Sequence, residues 1–193
     1  MLLSSEEILR RQGNEIAISP FDESRLNPNS YNLALHSELL VYEEVVLDAA
    51  SPNRYRRLPI PVEGLTLQPG QLYLGRTVEY TETRHLVPML QGRTSLGRLG
   101  LIVNPGGAIG NAGYSGCWTL EMHCVQPVRI YPGMQICQIC YLQLIGECRE
   151  YCTSKYQNSR DIQPSLMFRE LGKEDDQMEL DFDFLARSAA SPT

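Results

Sequence analysis

From Glu15 onward, apolar and polar residues alternate in short stretches, as in Leu65-Thr66-Leu67 and Leu72-Tyr73-Leu74. Turn formers such as Pro69-Gly70, Pro105-Gly106-Gly107 and Pro132-Gly133 keep interrupting them. A period of two puts every second side chain on one face of a strand, and a proline beside a glycine ends the strand. Short strands of this kind bury their apolar faces only against one another, so the pattern predicts an all-β barrel, sandwich or jelly roll. One helix precedes them: Ser4 or Ser5 supplies an N-cap, Glu6 and Glu7 the early acids, Arg10 and Arg11 the late bases, and Gly13 the stop.

At 193 residues with 42% hydrophobic content, the chain can bury one substantial core and is too short for two ordinary domains. One domain is expected over residues 1–172, followed by an acidic tail over 173–193. Residues 48–64, with three prolines and several arginines but no period, are expected to form a surface loop. The tail carries Glu174, Asp175, Asp176, Glu179, Asp181 and Asp183 against Lys173 and Arg187. Setting those residues aside leaves 17 acids and 15 bases, a net charge of −2 against −6 for the whole chain.

Such a nearly neutral body offers no long-range attraction to a nucleic-acid backbone, although a small anion needs only a few local cations. No apolar run approaches the ~20 residues of a membrane span, and Met1-Leu2-Leu3-Ser4-Ser5-Glu6-Glu7 lacks the layout of a signal peptide. The expectation is a cytoplasmic protein binding neither nucleic acid nor membrane. Its six cysteines (Cys117, Cys124, Cys137, Cys140, Cys148 and Cys152) are then reduced thiols.

The densest chemistry lies in residues 92–100, Gly-Arg-Thr-Ser-Leu-Gly-Arg-Leu-Gly, which hold two arginines, two hydroxyls and three glycines. Guanidinium forks, hydroxyls and closely approaching backbone N–H groups are the means of wrapping an anion. A glycine-rich turn with solvated arginines has the same composition, and composition alone does not choose between them.

This segment resembles the Gly-Arg-Ser-Ser-Leu-Gly-Arg-Leu-Gly signature of dCTP deaminases, departing only at Thr94. Ile18-Ser19-Pro20-Phe21-Asp22 and Leu26-Asn27-Pro28-Asn29-Ser30-Tyr31-Asn32-Leu33 resemble the family's earlier motifs. Gly113 through Glu121, Tyr131-Pro132-Gly133-Met134-Gln135-Ile136 and Ser154-Lys155-Tyr156-Gln157 resemble later ones, in the family's order. The resemblance implies a dUTPase-like distorted barrel or jelly roll of the β-clip type, assembled as a homotrimer with sites between subunits. It also implies a deoxynucleoside triphosphate (dCTP or dUTP) bound together with Mg²⁺.

By position, the resemblance makes Glu121 the proton shuttle, assisted by the Thr94 hydroxyl. Arg93, Ser95, Arg98, Lys155 and Tyr151 would hold phosphates, backbone groups at Thr119 and Leu120 would read the pyrimidine edge, and Asn111 and Ser159 would line the ligand site. A carboxylate that takes water's proton during attack on C4, then protonates N3 and the leaving amine, needs no metal-activated water. To act in both directions near neutrality it should be partly desolvated.

The departures cluster around the ligand. Where the family commonly reads His-x-Thr-Ala-x-x-Ile-Asp-Pro-Gly, this chain reads Asn104-Pro105-Gly106-Gly107-Ala108-Ile109-Gly110-Asn111-Ala112-Gly113, and a common glutamine is Ser159. The amide of Asn111 can still bond a sugar hydroxyl but cannot act as a carboxylate base. Three readings follow: a dCTP deaminase with a rearranged pocket, a relative with an altered base such as a modified cytosine, or a non-catalytic nucleotide-binding, regulatory trimer. A dUTP pyrophosphatase, or a bifunctional deaminase and pyrophosphatase, ranks below them, since the water-activating Asp would fall at Asn111. Zinc is not expected: Cys137-Gln138-Ile139-Cys140 lies in a strand-like stretch, 134–144, whose residues three apart face opposite ways.

Overall fold

The computed structural model describes residues 1–104, 107–147 and 155–171. The opening helix α1 (Ser5–Arg11) is capped as its sequence predicts: the Ser4 hydroxyl accepts from the Glu7 N–H at 3.3 Å, and Gly13 adopts φ +83°. Twelve strands follow among the described residues: β1 (Ile16–Ser19), β2 (Leu26–Asn27), β3 (Ser30–Ala34), β4 (Glu38–Tyr42), β5 (Tyr55–Pro59), β6 (Leu65–Leu67), β7 (Tyr73–Thr83), β8 (Leu86–Gly92), β9 (Leu101–Asn104), β10 (Ser115–Cys124), β11 (Val128–Ile130) and β12 (Gln135–Gln143). A one-turn helix α2 (Thr94–Gly97) links β8 to β9, and α3 (Phe168–Leu171) closes the described chain. Among the described residues no helix is long and apolar enough to cross a membrane.

The all-β expectation holds. A six-stranded sheet runs β5-β4-β7-β10-β9 with β1 also on β7, a four-stranded sheet runs β2-β3-β12-β8, and β6 pairs with β11. Gly70 (φ +79°) and Gly133 (φ +75°) make the turns that their Pro-Gly pairs predict. The core forms where inward residues of the two larger sheets meet, including Leu33, Ile139, Leu90, Leu39, Leu120 and Met122. Period-two alternation then sends Leu40, Leu74, Thr119 and Glu121 to the outer face of the six-stranded sheet. A second, small apolar cluster of Leu40, Leu74 and Ile162 sits there.

Residues 48–64 depart from the expected loop. Tyr55–Pro59 form edge strand β5, antiparallel to β4 with Leu40 opposite Arg57. Four of its five residues are exposed, so the strand has no apolar alternation to betray it, and backbone pairing with β4 is what creates it. The expected tail, 173–193, lies outside the described residues.

Candidate functional site

Strand β10 carries the centre of the site. Leu120 and Met122 are fully buried in the core, which obliges Thr119 and Glu121, between and beside them, to face outward. A register shift between Cys117 and Thr119 marks a bulge at Trp118, and bulges re-aim side chains. The indole N–H of Trp118 donates to Thr81 Oγ1 at 2.8 Å, and its ring packs against Tyr114 with centroids 4.2 Å apart and planes tilted by 38°. Gly110 lets the chain pass beneath that ring: a Cβ there would lie 2.5 Å from Trp118 Cη2 and 2.8 Å from Pro88 Cγ.

The outer face forms one wall of a cavity of about 650 Å³, within the range of small-molecule sites. Cys117, Thr119 and Glu121 come from β10, Ile109 and Asn111 from the turn before it, Leu47, Asp48 and Asn53 from the β4–β5 loop, and Ser159, Gln163 and Met167 from the carboxyl-terminal segment. Burial raises the pKa of the Glu121 carboxyl above that of an ordinary glutamate. Among the described residues no cation or hydrogen-bond donor contacts it, so desolvation acts unopposed. A carboxylate in that state can accept a proton and return it near neutrality.

Asn111, Thr119 and Ser159 therefore share the cavity with Glu121. Thr119 Oγ1 accepts from the Gln163 N–H at 3.0 Å. Ser159 donates its hydroxyl to the Asp161 carbonyl at 2.8 Å, while its own carbonyl accepts from the Cys117 N–H at 2.8 Å. Leu120 offers the cavity no side chain, since that side chain is in the core. Asn104 pairs with Glu121 across β9 and β10 and is exposed.

Arg93, Thr94, Ser95 and Arg98 stand elsewhere. Thr94 and Ser95 lie in α2 and Arg93 and Arg98 cap its two ends; only Leu96 of that helix is buried, and none of the four lines the cavity. Thr94, Ser95 and Arg98 are exposed, and among the described residues neither arginine has an ion-pair partner. A single chain thus separates the arginine motif from Glu121. Lys155 is also outside the cavity lining: it pairs with Glu170 and lies 5.4 Å from the centre of the Tyr156 ring. Tyr151 and Gly106, like Cys148 and Cys152, lie outside the described residues. Cys137 and Cys140 are on β12 as expected of a strand, Cys137 fully buried with its thiol pushed up by burial, Cys140 donating to the Met89 carbonyl at 3.4 Å.

The sequence reading missed Gln163, Cys117 and the β4–β5 loop residues. Cys117 lies within the 113–121 motif but carries no role there, Gln163 and the loop residues belong to no motif, and only the tertiary fold brings them to the cavity.

Residues 2–144 match the family model described as dCTP deaminase-like. The chain belongs to the dCTP deaminase-like family. Among its relatives, a protein of Rhodopirellula baltica named dCTP deaminase is 70% identical over 97% of this chain and 96% of its own length. One of Hathewaya histolytica named dCTP deaminase, dUMP-forming, is 55% identical over 88% of this chain and 99% of its own. The crystal structure of 2′-deoxycytidine 5′-triphosphate deaminase from Agrobacterium tumefaciens superposes with a TM-score of 0.59 at 18% identity. It covers 72% of this chain and 47% of that one, so this dCTP deaminase-like chain spans about half the length of the Agrobacterium protein and shares its fold.

Proposed function

We propose that this chain is a hydrolytic dCTP deaminase, releasing dUTP and ammonia at sites shared between the subunits of a cytoplasmic homotrimer. The observation that carries the reading is the half-buried carboxylate of Glu121, without a partner among the described residues, in the wall of a nucleotide-sized cavity. The names of the relatives support the substrate. Water attacks C4 of cytosine and gives its proton to Glu121, which delivers it to N3. The carboxyl then takes the remaining hydroxyl proton and gives it to the departing amine, so that ammonia leaves and the C4 carbonyl of dUTP remains.

In this reading Arg93, Ser95 and Arg98 of a neighbouring subunit grip the triphosphate with Lys155, and Thr94 of the same neighbour orients the water. Separation of that motif from Glu121 within one chain supports a shared site. Mg²⁺ travels with the triphosphate: among the described residues no three His, Cys, Asp or Glu side chains converge, so phosphate oxygens and water are the fitting donors. Bound there, it would neutralise phosphate charge.

Relatives carry both the plain name and the dUMP-forming one. We favour dUTP because Asn111 cannot act as a carboxylate base toward a phosphate-attacking water. The second reading, nucleotide binding without turnover, draws support from Asn111 and from the Ser159 hydroxyl being committed to Asp161. Incubation with dCTP and Mg²⁺, following ammonia and separating products by anion exchange, distinguishes all of these. Ammonia with dUTP is expected. Pyrophosphate and dUMP would overturn the product assignment, and binding heat without ammonia would overturn catalysis.

A further inference from the structure

Residues 157–167 form a strap over the outer face of the six-stranded sheet. Asn158 donates its N–H to the Ser115 carbonyl at 2.7 Å, Cys117 donates to Ser159 at 2.8 Å, and Ser165 donates to the Tyr42 hydroxyl at 2.9 Å. Ile162, 3% exposed, is the strap's apolar plug against Leu40 and Leu74. This strap carries Ser159 and Gln163 into the cavity wall.

Next to that plug lies an ion pair that does not itself line the cavity. Asp161 Oδ2 is 2.6 Å from Arg57 Nη2, and Asp161 Oδ1 accepts from the Ile162 N–H at 2.8 Å. Arg57 also pairs with Glu38. Register fixes where this happens: Arg57 is opposite Leu40, Leu40 opposite Leu74, and Leu74 opposite Glu121. Directly opposed residues share a face, so Arg57 and Glu121 stand on one cross-strand row, about 14 Å apart at the usual strand spacing.

We propose that Arg57 and Asp161 are positioning residues for this site: their ion pair locks the strap onto the sheet edge, and through the Gln163 N–H to Thr119 it fixes the wall beside Glu121. The inference rests on the deaminase reading for its kinetic effect, but not for its structural one. A strap held by a few hydrogen bonds and one buried isoleucine opens locally at low cost, so a pair too exposed to matter for global stability still sets how often the wall is intact. The hydrogen bonds from Arg57 also hold the Asp161 carboxyl below the usual carboxylate range.

The test uses the full chain with Asp161→Asn, Arg57→Gln, Arg57→Lys and the double Arg57→Gln/Asp161→Asn variant. Hydrogen exchange of peptides covering 157–165 and steady-state ammonia release from dCTP are measured together. Each neutralised single variant should speed exchange of the strap and raise KM about three- to fivefold with kcat within about twofold, its melting temperature nearly unchanged. Arg57→Lys should restore most of both, and the double variant should be no worse than either single one, as for two ends of one interaction. Unchanged strap exchange in the single variants, or single effects that multiply in the double one, would overturn the proposal. If the wild type neither binds nor turns over dCTP, the deaminase reading falls, and the exchange measurements still decide whether the pair locks the strap.

Discussion

Replacing Glu121 by Gln exchanges one carboxylate oxygen for a nitrogen and leaves shape and strand pairing alone, because Leu120 and Met122 anchor the backbone on either side. Two effects of opposite sign are expected. Turnover should fall about 10²- to 10⁴-fold, or about 2.7–5.4 kcal/mol of transition-state stabilisation, as is usual when a general acid–base is removed. Nucleotide binding should persist. Stability should rise: burial lifts the folded-state pKa above the unfolded value near 4.5, so the folded form binds the proton more tightly. The resulting stabilisation is full below the unfolded pKa and is lost as pH climbs through the folded one. At pH 7.5 the ionised wild-type side chain therefore penalises folding, and Gln removes the penalty. The half-exposed carboxylate is screened by water, so the gain should be about 1 kcal/mol or less. Urea unfolding at fixed protein concentration, at pH 4 and 7.5, reads the stability, and ammonia release reads the turnover. In the wild type, kcat/KM should decline as pH falls through the raised pKa. Turnover within tenfold of wild type, or a Gln variant less stable at pH 7.5 than at pH 4 relative to wild type, would refute the reasoning.

Mixing Glu121→Gln with Arg98→Ala, each nearly inactive alone, should restore activity at about a quarter of the sites after subunit exchange, since a shared site in a homotrimer can draw each intact residue from a different chain. No recovery would place both groups in one subunit's site. Arg25→Met should lower stability by about 3 kcal/mol, measured by urea midpoint, because it strips the ion-pair partner from fully buried Glu79 and leaves that carboxylate with backbone donors alone, among them the Ala34 N–H at 2.9 Å. The loss should shrink at low pH, where Glu79, its pKa raised by burial, takes up a proton. Gly110→Ala should cost about 1–3 kcal/mol by overpacking and shift the emission of Trp118, the single tryptophan. An unaltered spectrum would mean that the close approach to that ring is wrong.

Local chemistry made some of this legible in advance. The Ser4 cap, the acid-to-base gradient of α1 and the Pro-Gly turns act over a few residues, so the sequence contains the whole cause. The ordered motifs from Ile18 to Gln157 carried the family, and with it the proposal for Glu121. Strand β5 was not legible, because an exposed edge strand is specified by the neighbour it pairs with and not by its own pattern. The alternation of Trp118, Leu120 and Met122 with Thr119, Glu121 and His123 puts Glu121 on the polar face of its strand, but nothing in that stretch says that a distant segment covers this face.

What the residues determine by themselves is most of the menu of elements and the candidate for the proposed proton-carrying group, since capping, turn formation and side-chain chemistry are short-range. How far the Glu121 carboxyl is desolvated, and which distant segments wall it in, were decided by sheet register and by the strap returning more than a hundred residues after Arg57. Burial and proximity are properties of the packed whole: they arise only when β4, β7 and β10 lie side by side and Ile162 closes over Leu40 and Leu74.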